Sequence, residues 1–184
     1  MPELPSTVVS PETDSVVVVE GASDRAALLR LAERRGRNLA AEGVAVVPIG
    51  GAHALPRFLA SLGAGAHRLK LVGLCDAGEA DDFRRALGPS AACYVCDPDL
   101  EHELIRALGA ARVEQIADTQ GELHSFRTLQ KQPAQRARTL EQQLRVFLGN
   151  RKIRYAPLLV DALDLTSVPR PLEELLAAVG ARPA

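Results

Sequence analysis

Short apolar runs that alternate with helical segments are the feature that most restricts the fold of this chain. The first run, residues 16–19, is four consecutive valines bounded by turn-forming residues, which is the pattern of a buried parallel strand. Three more runs that read as strands follow, in "GVAVVPIGG", "RLKLVGLCDAG" and "AACYVCD". These runs predict a sheet whose strands are buried on both faces.

The segments between the runs have apolar residues at helical spacing. They are residues 24–42, with a glycine break at Gly36, and the stretches "ALPRFLASLGA", "EADDFRRALG" and "LEHELIRALG". Strands that alternate with helices at this spacing indicate βαβ units around a central parallel sheet. The predicted fold class is therefore α/β.

The pattern changes after Gly109. Residues rich in arginine, glutamine and leucine continue at helical spacing, with breaks at Pro133 and in "SVPRP". We therefore expect a flexible leader at 1–14, an α/β core at 15–110, and a helical extension packed on the core at 111–184.

Composition argues against a membrane protein, a secreted protein and a structural zinc site. The 184 residues are 47% hydrophobic and 24% charged with a net charge of −1, which is ordinary for a globular protein. Neither an apolar run of about 20 residues nor a signal-peptide layout is present, so a cytoplasmic location away from membranes is expected. Cys75, Cys93 and Cys96 are expected to be buried thiols, because a structural zinc site needs four ligands.

Carboxylates follow three of the predicted strands. Glu20 ends the first strand, Asp76 the third, and Asp97 to Asp99 the fourth, so all should lie at the carboxyl edge of the sheet, where open α/β sheets bind ligands. Carboxylates this close would repel each other unless a cation neutralised them, and oxygen ligands favour Mg²⁺, Mn²⁺ or Ca²⁺. Such a cluster indicates phosphoryl chemistry.

Simpler interpretations exist for several of these residues. Asp24 and Glu79 could be first-turn acids that suit a helix dipole, and Asp97 or Asp99 could cap the helix that follows. The arginines between 127 and 154 are typical of a solvated helix face, although as a group they could contact nucleic-acid phosphates.

Four segments together resemble the Toprim domain of the OLD (overcoming lysogenization defect) family of nucleases. They are "VVVVEGASDRAALLRLA", "LVGLCDAGEADDF", "CDPDLEHELI" and "RKIRYAPLL". The resemblance covers roughly residues 15 to 180. It implies a Rossmann-like Toprim fold with a central parallel sheet flanked by helices and a C-terminal helical extension.

The resemblance also assigns roles to residues. Toprim domains place a glutamate after the first strand and a later Asp-x-Asp pair on Mg²⁺; Glu20 matches the glutamate and Asp76 the first aspartate. Gly78 replaces the second aspartate. The implied metal ligands are Glu20, Asp24 and Asp76, with Glu79, Asp99 and Glu101 as further candidates, and the implied catalytic residues are Glu20 and Lys152.

The implied function is a Mg²⁺- or Mn²⁺-dependent nuclease that acts on DNA. OLD nucleases carry an ABC-type ATPase domain, but this sequence has no phosphate-binding Gly-x-x-x-x-Gly-Lys loop, so a free-standing module with a separate ATPase partner is expected. Two alternatives stay open: a catalytically impaired Toprim module that binds nucleic acid or a partner ATPase, and a nucleotidyl transferase or nucleotide hydrolase.

Overall fold

Four parallel strands form the central sheet of the protein. The computed structural model describes residues 9–180. The sheet has the order β2-β1-β3-β4, and Val17 of β1 lies between Val46 and Val72 of its neighbours. The strands are β1 (Ser15–Val19), β2 (Val44–Pro48), β3 (Lys70–Asp76) and β4 (Ala92–Cys96). The α/β class predicted from the sequence is confirmed.

Helices connect the strands and continue to the end of the described chain. The connecting helices are α1 (Ala22–Arg34), α2 (Leu55–Ser61) and α3 (Ala80–Leu87). The helices after β4 are α4 (Leu100–Leu108), α5 (Ala110–Thr119), α6 (Leu123–Gln130), α7 (Leu140–Leu148), α8 (Lys152–Ala162) and α9 (Arg170–Ala178). The C-terminal part is helical, as predicted.

The first helix is shorter than the sequence pattern predicts. It ends at Arg34 rather than running through a break to residue 42. Gly36 has a φ of +71°, in the left-handed region that commonly terminates a helix. Turns and irregular backbone over residues 35–43 then lead into β2.

Each face of the sheet carries its own hydrophobic cluster. Val16 and Val18 pack with Phe58 and Phe83 on the side of α2 and α3. Val17 and Val19 belong to the larger cluster on the opposite face, which also contains buried residues of α1, α4, α7, α8 and α9. All four valines of residues 16–19 are fully buried, which explains why apolar and polar residues do not alternate along this strand.

The strand order creates a switch point between β1 and β3. The chain leaves β1 toward β2 on one side and later returns to β3 on the other, so the connections diverge between these two strands. Ligands of open α/β sheets bind beyond the carboxyl ends of the strands at such a point. Glu20 and Asp76 occupy those two strand ends.

The cysteines are free thiols. Cys75 and Cys96 are buried as expected, whereas Cys93 is partly exposed and its Sγ lies 3.5 Å from the Sγ of Cys75. None of the helices described in residues 9–180 is long and apolar enough to cross a membrane. The first eight residues of the predicted leader lie outside the described residues.

Candidate functional site

Glu20 ties together the carboxyl ends of the two central strands. Its backbone carbonyl accepts hydrogen bonds from the N–H groups of Gly50 and Gly51, and its side-chain Oε1 accepts one from the N–H of Asp76 at 2.6 Å. Partial burial raises the pKa of Glu20, with a further contribution from the charges of Glu79 and Glu101, against the lowering effect of the Asp76 N–H and of Lys152. The sheet edge thus holds this carboxylate in place.

Asp24 lies in the first turn of α1, directly after Glu20 and Gly21. Its Oδ2 accepts a hydrogen bond from the Gly21 N–H at 2.8 Å, which fixes the carboxylate at the helix N-terminus. Burial raises the pKa of Asp24 to about 6 in spite of that hydrogen bond, and the charges of Glu101 and Glu20 raise it further. Burial is therefore the main reason that the charged form of Asp24 is disfavoured, and repulsion by the two neighbouring carboxylates adds to it.

Asp76 ends β3 and has the most perturbed carboxyl group of this edge. Its Oδ1 accepts a hydrogen bond from the Leu100 N–H at 3.2 Å. Burial raises the pKa of Asp76 to about 7, and four neighbouring carboxylates add to the effect: Glu20, Asp24, Asp99 and Glu101. The fold therefore brings together the acidic residues that the sequence placed on separate strands.

There is free space for a side chain at position 78, where Gly78 replaces the second aspartate of the Toprim pair. Gly78 lies in a short 3₁₀ turn between β3 and α3, and a Cβ placed on it would meet no atom within 4 Å. The neighbouring Glu79 accepts a hydrogen bond from the Ala52 N–H at 3.3 Å, in the loop that follows β2. Glu79 is close enough for its charge to act on Glu20.

Asp99 and Glu101 at the start of α4 both have cationic partners. Asp99 caps the helix, since its Oδ1 accepts from the His102 N–H at 2.8 Å, and its Oδ2 pairs with Arg145 of α7. The capping alternative in the sequence is therefore observed for Asp99. Its role as a metal ligand stays a prediction.

Lys152 reaches the acidic cluster from the N-terminus of α8. Its Nζ donates to Oε2 of Glu101 at 2.7 Å, and the Glu101 side chain is only 6% exposed. Burial acts to lower the pKa of Lys152, but the hydrogen bond that Lys152 donates to Glu101 and the charges of Glu101, Asp99 and Asp76 hold this pKa above its ordinary value. The ammonium group is thus kept protonated beside the carboxylates.

The residues of the cluster have the chemistry of a divalent-cation site, but they are not closed around one. Among residues 9–180, no three Asp, Glu, His or Cys side chains converge as a ready metal centre. The oxygen donors have other partners: Glu20, Asp24, Asp76 and Glu79 each accept a hydrogen bond from a backbone N–H group, and Glu101 accepts one from Lys152. Oxygen donors that repel each other fit Mg²⁺ or Mn²⁺, which would compete with these hydrogen bonds.

Several groups around the cluster were not singled out from the sequence. Arg145 was considered as one of many arginines and is the partner of Asp99, while the backbone N–H groups of Ala52 and Leu100 hold carboxylates. The Nδ1 atom of His102 is buried without a hydrogen-bond partner in the described part of the chain. Contacts of this kind cannot be predicted from a local sequence pattern, because the partners are distant in the sequence.

Comparisons with known proteins match this architecture. Residues 13–77 match the family model of the "Overcoming lysogenization defect protein-like, TOPRIM domain". The C-terminal region of the Xanthomonas campestris pv. campestris OLD protein is similar in structure, with a TM-score of 0.62 and 19% identity over 90% of this chain and 91% of that chain. The C-terminal region of the Burkholderia pseudomallei OLD protein gives a TM-score of 0.65 and 16% identity over 90% and 96%. No curated protein matches in sequence.

The matched segment has a defined relation to the site. It includes Glu20, Asp24 and Asp76, and ends one residue after Asp76. Glu101 and Lys152 lie beyond it, in the part of the chain for which the solved structures show the fold. The predicted Toprim architecture with helices after the sheet is thereby confirmed.

Proposed function

From the premise that the chain carries a Toprim domain of the OLD-like type, we propose that it is a divalent-metal-dependent nuclease that hydrolyses phosphodiester bonds of DNA. The observation that carries the proposal is the meeting of Glu20, Asp24 and Asp76 beyond β1 and β3. Burial, with a smaller contribution from neighbouring carboxylates, raises the pKa of all three carboxyl groups. A fold keeps such an arrangement at a cost in stability, which a bound cation would offset.

Glu20, Asp24 and Asp76 are the proposed core of the metal site, with Glu79, Asp99 and Glu101 as further candidates. Bound Mg²⁺ or Mn²⁺ would supply activation of a water molecule and stabilisation of the leaving oxygen. Glu20 is proposed both as a metal ligand and as a catalytic residue, and its carboxylate accepts a hydrogen bond from the N–H of Asp76 at the end of β3. Asp24 would hold its place through the Gly21 N–H, which binds only one of its two oxygens.

Lys152 is the proposed catalytic cation. A protonated amine is needed where negative charge develops on a phosphate, and the surrounding carboxylates favour the protonated form of Lys152. Glu101 orients the amine through its hydrogen bond. Substrate phosphate would compete with Glu101 for the same N–H groups.

A second candidate function has a specific observation in its favour. Gly78 replaces the second aspartate of the Toprim pair, and the carboxylates are held by backbone N–H groups rather than gathered around one point. A Toprim module that binds nucleic acid, or a separate ABC-type ATPase, without turnover would also have these features. Metal-dependent cleavage distinguishes the two functions.

The proposed activity is tested by nicking of supercoiled plasmid. We expect the purified protein to nick in Mg²⁺ or Mn²⁺ and to stop in EDTA, and we expect Glu20→Gln and Asp76→Asn each to lower the rate by about 100-fold or more, as expected for loss of a metal ligand. Asp81→Asn is the matched control, because the Asp81 side chain is 90% exposed on α3. DNA binding without nicking in either metal would instead support the binding module.

A further inference from the structure

We propose that the connection between α6 and α7 is a docking surface for the phosphate backbone of duplex DNA. The connection comprises residues 131–139 and includes a short 3₁₀ turn, Pro133–Gln135. We call residues 131–139 the basic loop. The inference rests on the proposed function and deepens it, because it identifies where the substrate would be held outside the carboxylate cluster.

The basic loop contains three cations and no acidic residue. Its sequence, "KQPAQRART", supplies Lys131, Arg136 and Arg138, and all three side chains are exposed. Glu141, in the first turn of α7, is the nearest acidic residue in the sequence. Three positive charges beside one negative charge give this part of the surface a positive charge, although the whole chain has a net charge of −1. A local excess of this sign attracts a polyanion.

The cations of the basic loop differ from their neighbours in having no carboxylate partner among the described residues. Lys131 and Arg136 have neither an ion pair nor a side-chain hydrogen bond within residues 9–180, and Arg138 contacts only Gln135, at 3.5 Å. The other cations between residues 127 and 154 are paired: Arg127 with Glu114, Arg145 with Asp99, Lys152 with Glu101, and Arg151 and Arg154 with Glu122. The loop cations can therefore bind phosphates without breaking an ion pair.

Buried glutamines hold the basic loop in a defined shape. Gln135 of the loop and Gln143 of α7 are only 5% and 9% exposed. Nε2 of Gln143 donates to the backbone carbonyl of Gln135, and Nε2 of Gln130 donates to Oε1 of Gln143, both at 2.8 Å. A buried amide is unfavourable unless it is hydrogen-bonded, so these bonds tie the loop to both helices. An ordered loop loses less conformational entropy when it binds a ligand.

Helix α7 connects the basic loop to the carboxylate cluster. Thr139, the N-cap of α7, precedes Arg145 by six residues, which is about 9 Å along a helix axis. Arg145 binds Asp99 of the cluster. Phosphates of one DNA strand repeat every ~3.4 Å along the duplex axis, so this spacing corresponds to about three base pairs. One duplex can therefore contact the basic loop while it reaches the cluster.

The surroundings of the basic loop favour a duplex over a single strand. Proteins that bind single strands stack the bases on exposed aromatic side chains. Five of the six aromatic side chains of the chain are buried, and the sixth, Tyr94, is a partly exposed residue of β4. The loop thus offers cations for phosphates but no stacking surface for bases. Contacts of this kind position a duplex without reading its sequence.

The test measures binding of a fluorescein-labelled DNA duplex by anisotropy in EDTA at a series of salt concentrations. We expect Lys131→Ala and Arg136→Ala each to weaken binding and to reduce the slope of log affinity against log salt by about one, and the double variant to reduce it by about two. Arg68→Ala is the matched control. Arg68 is also exposed without a partner among the described residues, but it lies just before β3, at the edge of the sheet opposite to Asp76. This variant should bind like the wild type.

Separate results overturn the docking surface and the nuclease. If the wild type does not bind the duplex at low salt, or if the folded double variant has the same salt slope as Arg68→Ala, the docking proposal is wrong, whether or not the protein nicks plasmid. If the double variant loses more affinity for single-stranded DNA of the same length than for the duplex, the assignment to duplex DNA is wrong. Loop-dependent binding of the duplex by a protein that never nicks supports the docking surface while the nuclease proposal fails.

Discussion

At the scale of single residues, the fold changes the acid–base chemistry of Asp24 and Asp76 most. Burial and neighbouring carboxylates raise the pKa of Asp24 to about 6 and that of Asp76 to about 7. A raised pKa means that the folded protein binds the proton more tightly than the unfolded chain does. These two groups therefore stabilise the fold when protonated, and that contribution is lost as the pH rises through their folded pKa values.

The raised pKa of Asp76 predicts how the stability of the metal-free protein, measured in EDTA, depends on pH. Asn resembles a protonated Asp, so Asp76→Asn should match the wild type in free energy of unfolding near pH 4 and exceed it near pH 8. Urea denaturation at a series of pH values measures the difference, and added Mg²⁺ should remove the advantage of the variant near pH 8. A difference that does not change with pH would contradict the shifted pKa of Asp76.

Gly78 provides a test by restoration. Because a Cβ at position 78 meets no atom within 4 Å, Gly78→Asp should fold normally and supply the absent carboxylate. We expect tighter Mn²⁺ binding and faster nicking, each by roughly tenfold, which corresponds to about 1.4 kcal/mol. Gly78→Asn has nearly the same shape without the charge and should leave both unchanged. Equal effects of Gly78→Asp and Gly78→Asn on Mn²⁺ binding and nicking would show that the negative charge at position 78 does not cause them.

At the scale of elements, the position of α8 decides whether Lys152 reaches the carboxylates. Arg34 at the end of α1 donates from Nη1 to the carbonyls of Val160 and Leu163 at 2.6 and 2.9 Å. These carbonyls lie at the C-terminal end of α8, where a cation suits the helix dipole. Arg34 thus fixes one end of α8 while Lys152 contacts the cluster at the other.

We predict that Arg34→Ala lowers the free energy of unfolding by about 1–3 kcal/mol, because two partly buried carbonyls lose a charged donor. Urea denaturation of the variant measures this loss. Arg112→Ala is the control, since that side chain contacts the exposed Gln115 of its own helix and should change stability by less than about 0.5 kcal/mol. A similar small effect of Arg34→Ala would mean that α8 is held by its apolar contacts alone.

At the scale of the whole molecule, the sequence predicts the sheet better than the surroundings of the site. The strands and the edge that carries Glu20 and Asp76 were predictable, because buried runs and strand ends are local patterns. The pairing of Glu101 with Lys152 was not, since these residues are 51 positions apart and only the family resemblance assigned roles to them.

The most direct test of the account is a calorimetric titration of the protein with Mn²⁺ at about pH 8, above the folded pKa of Asp76. The account predicts binding that Asp76→Asn weakens by tenfold or more, on the order of a lost charged ligand, and that Asp81→Asn leaves unchanged. Absence of binding by the wild type, or equal binding by Asp76→Asn, would contradict a metal centre at the carboxyl ends of β1 and β3.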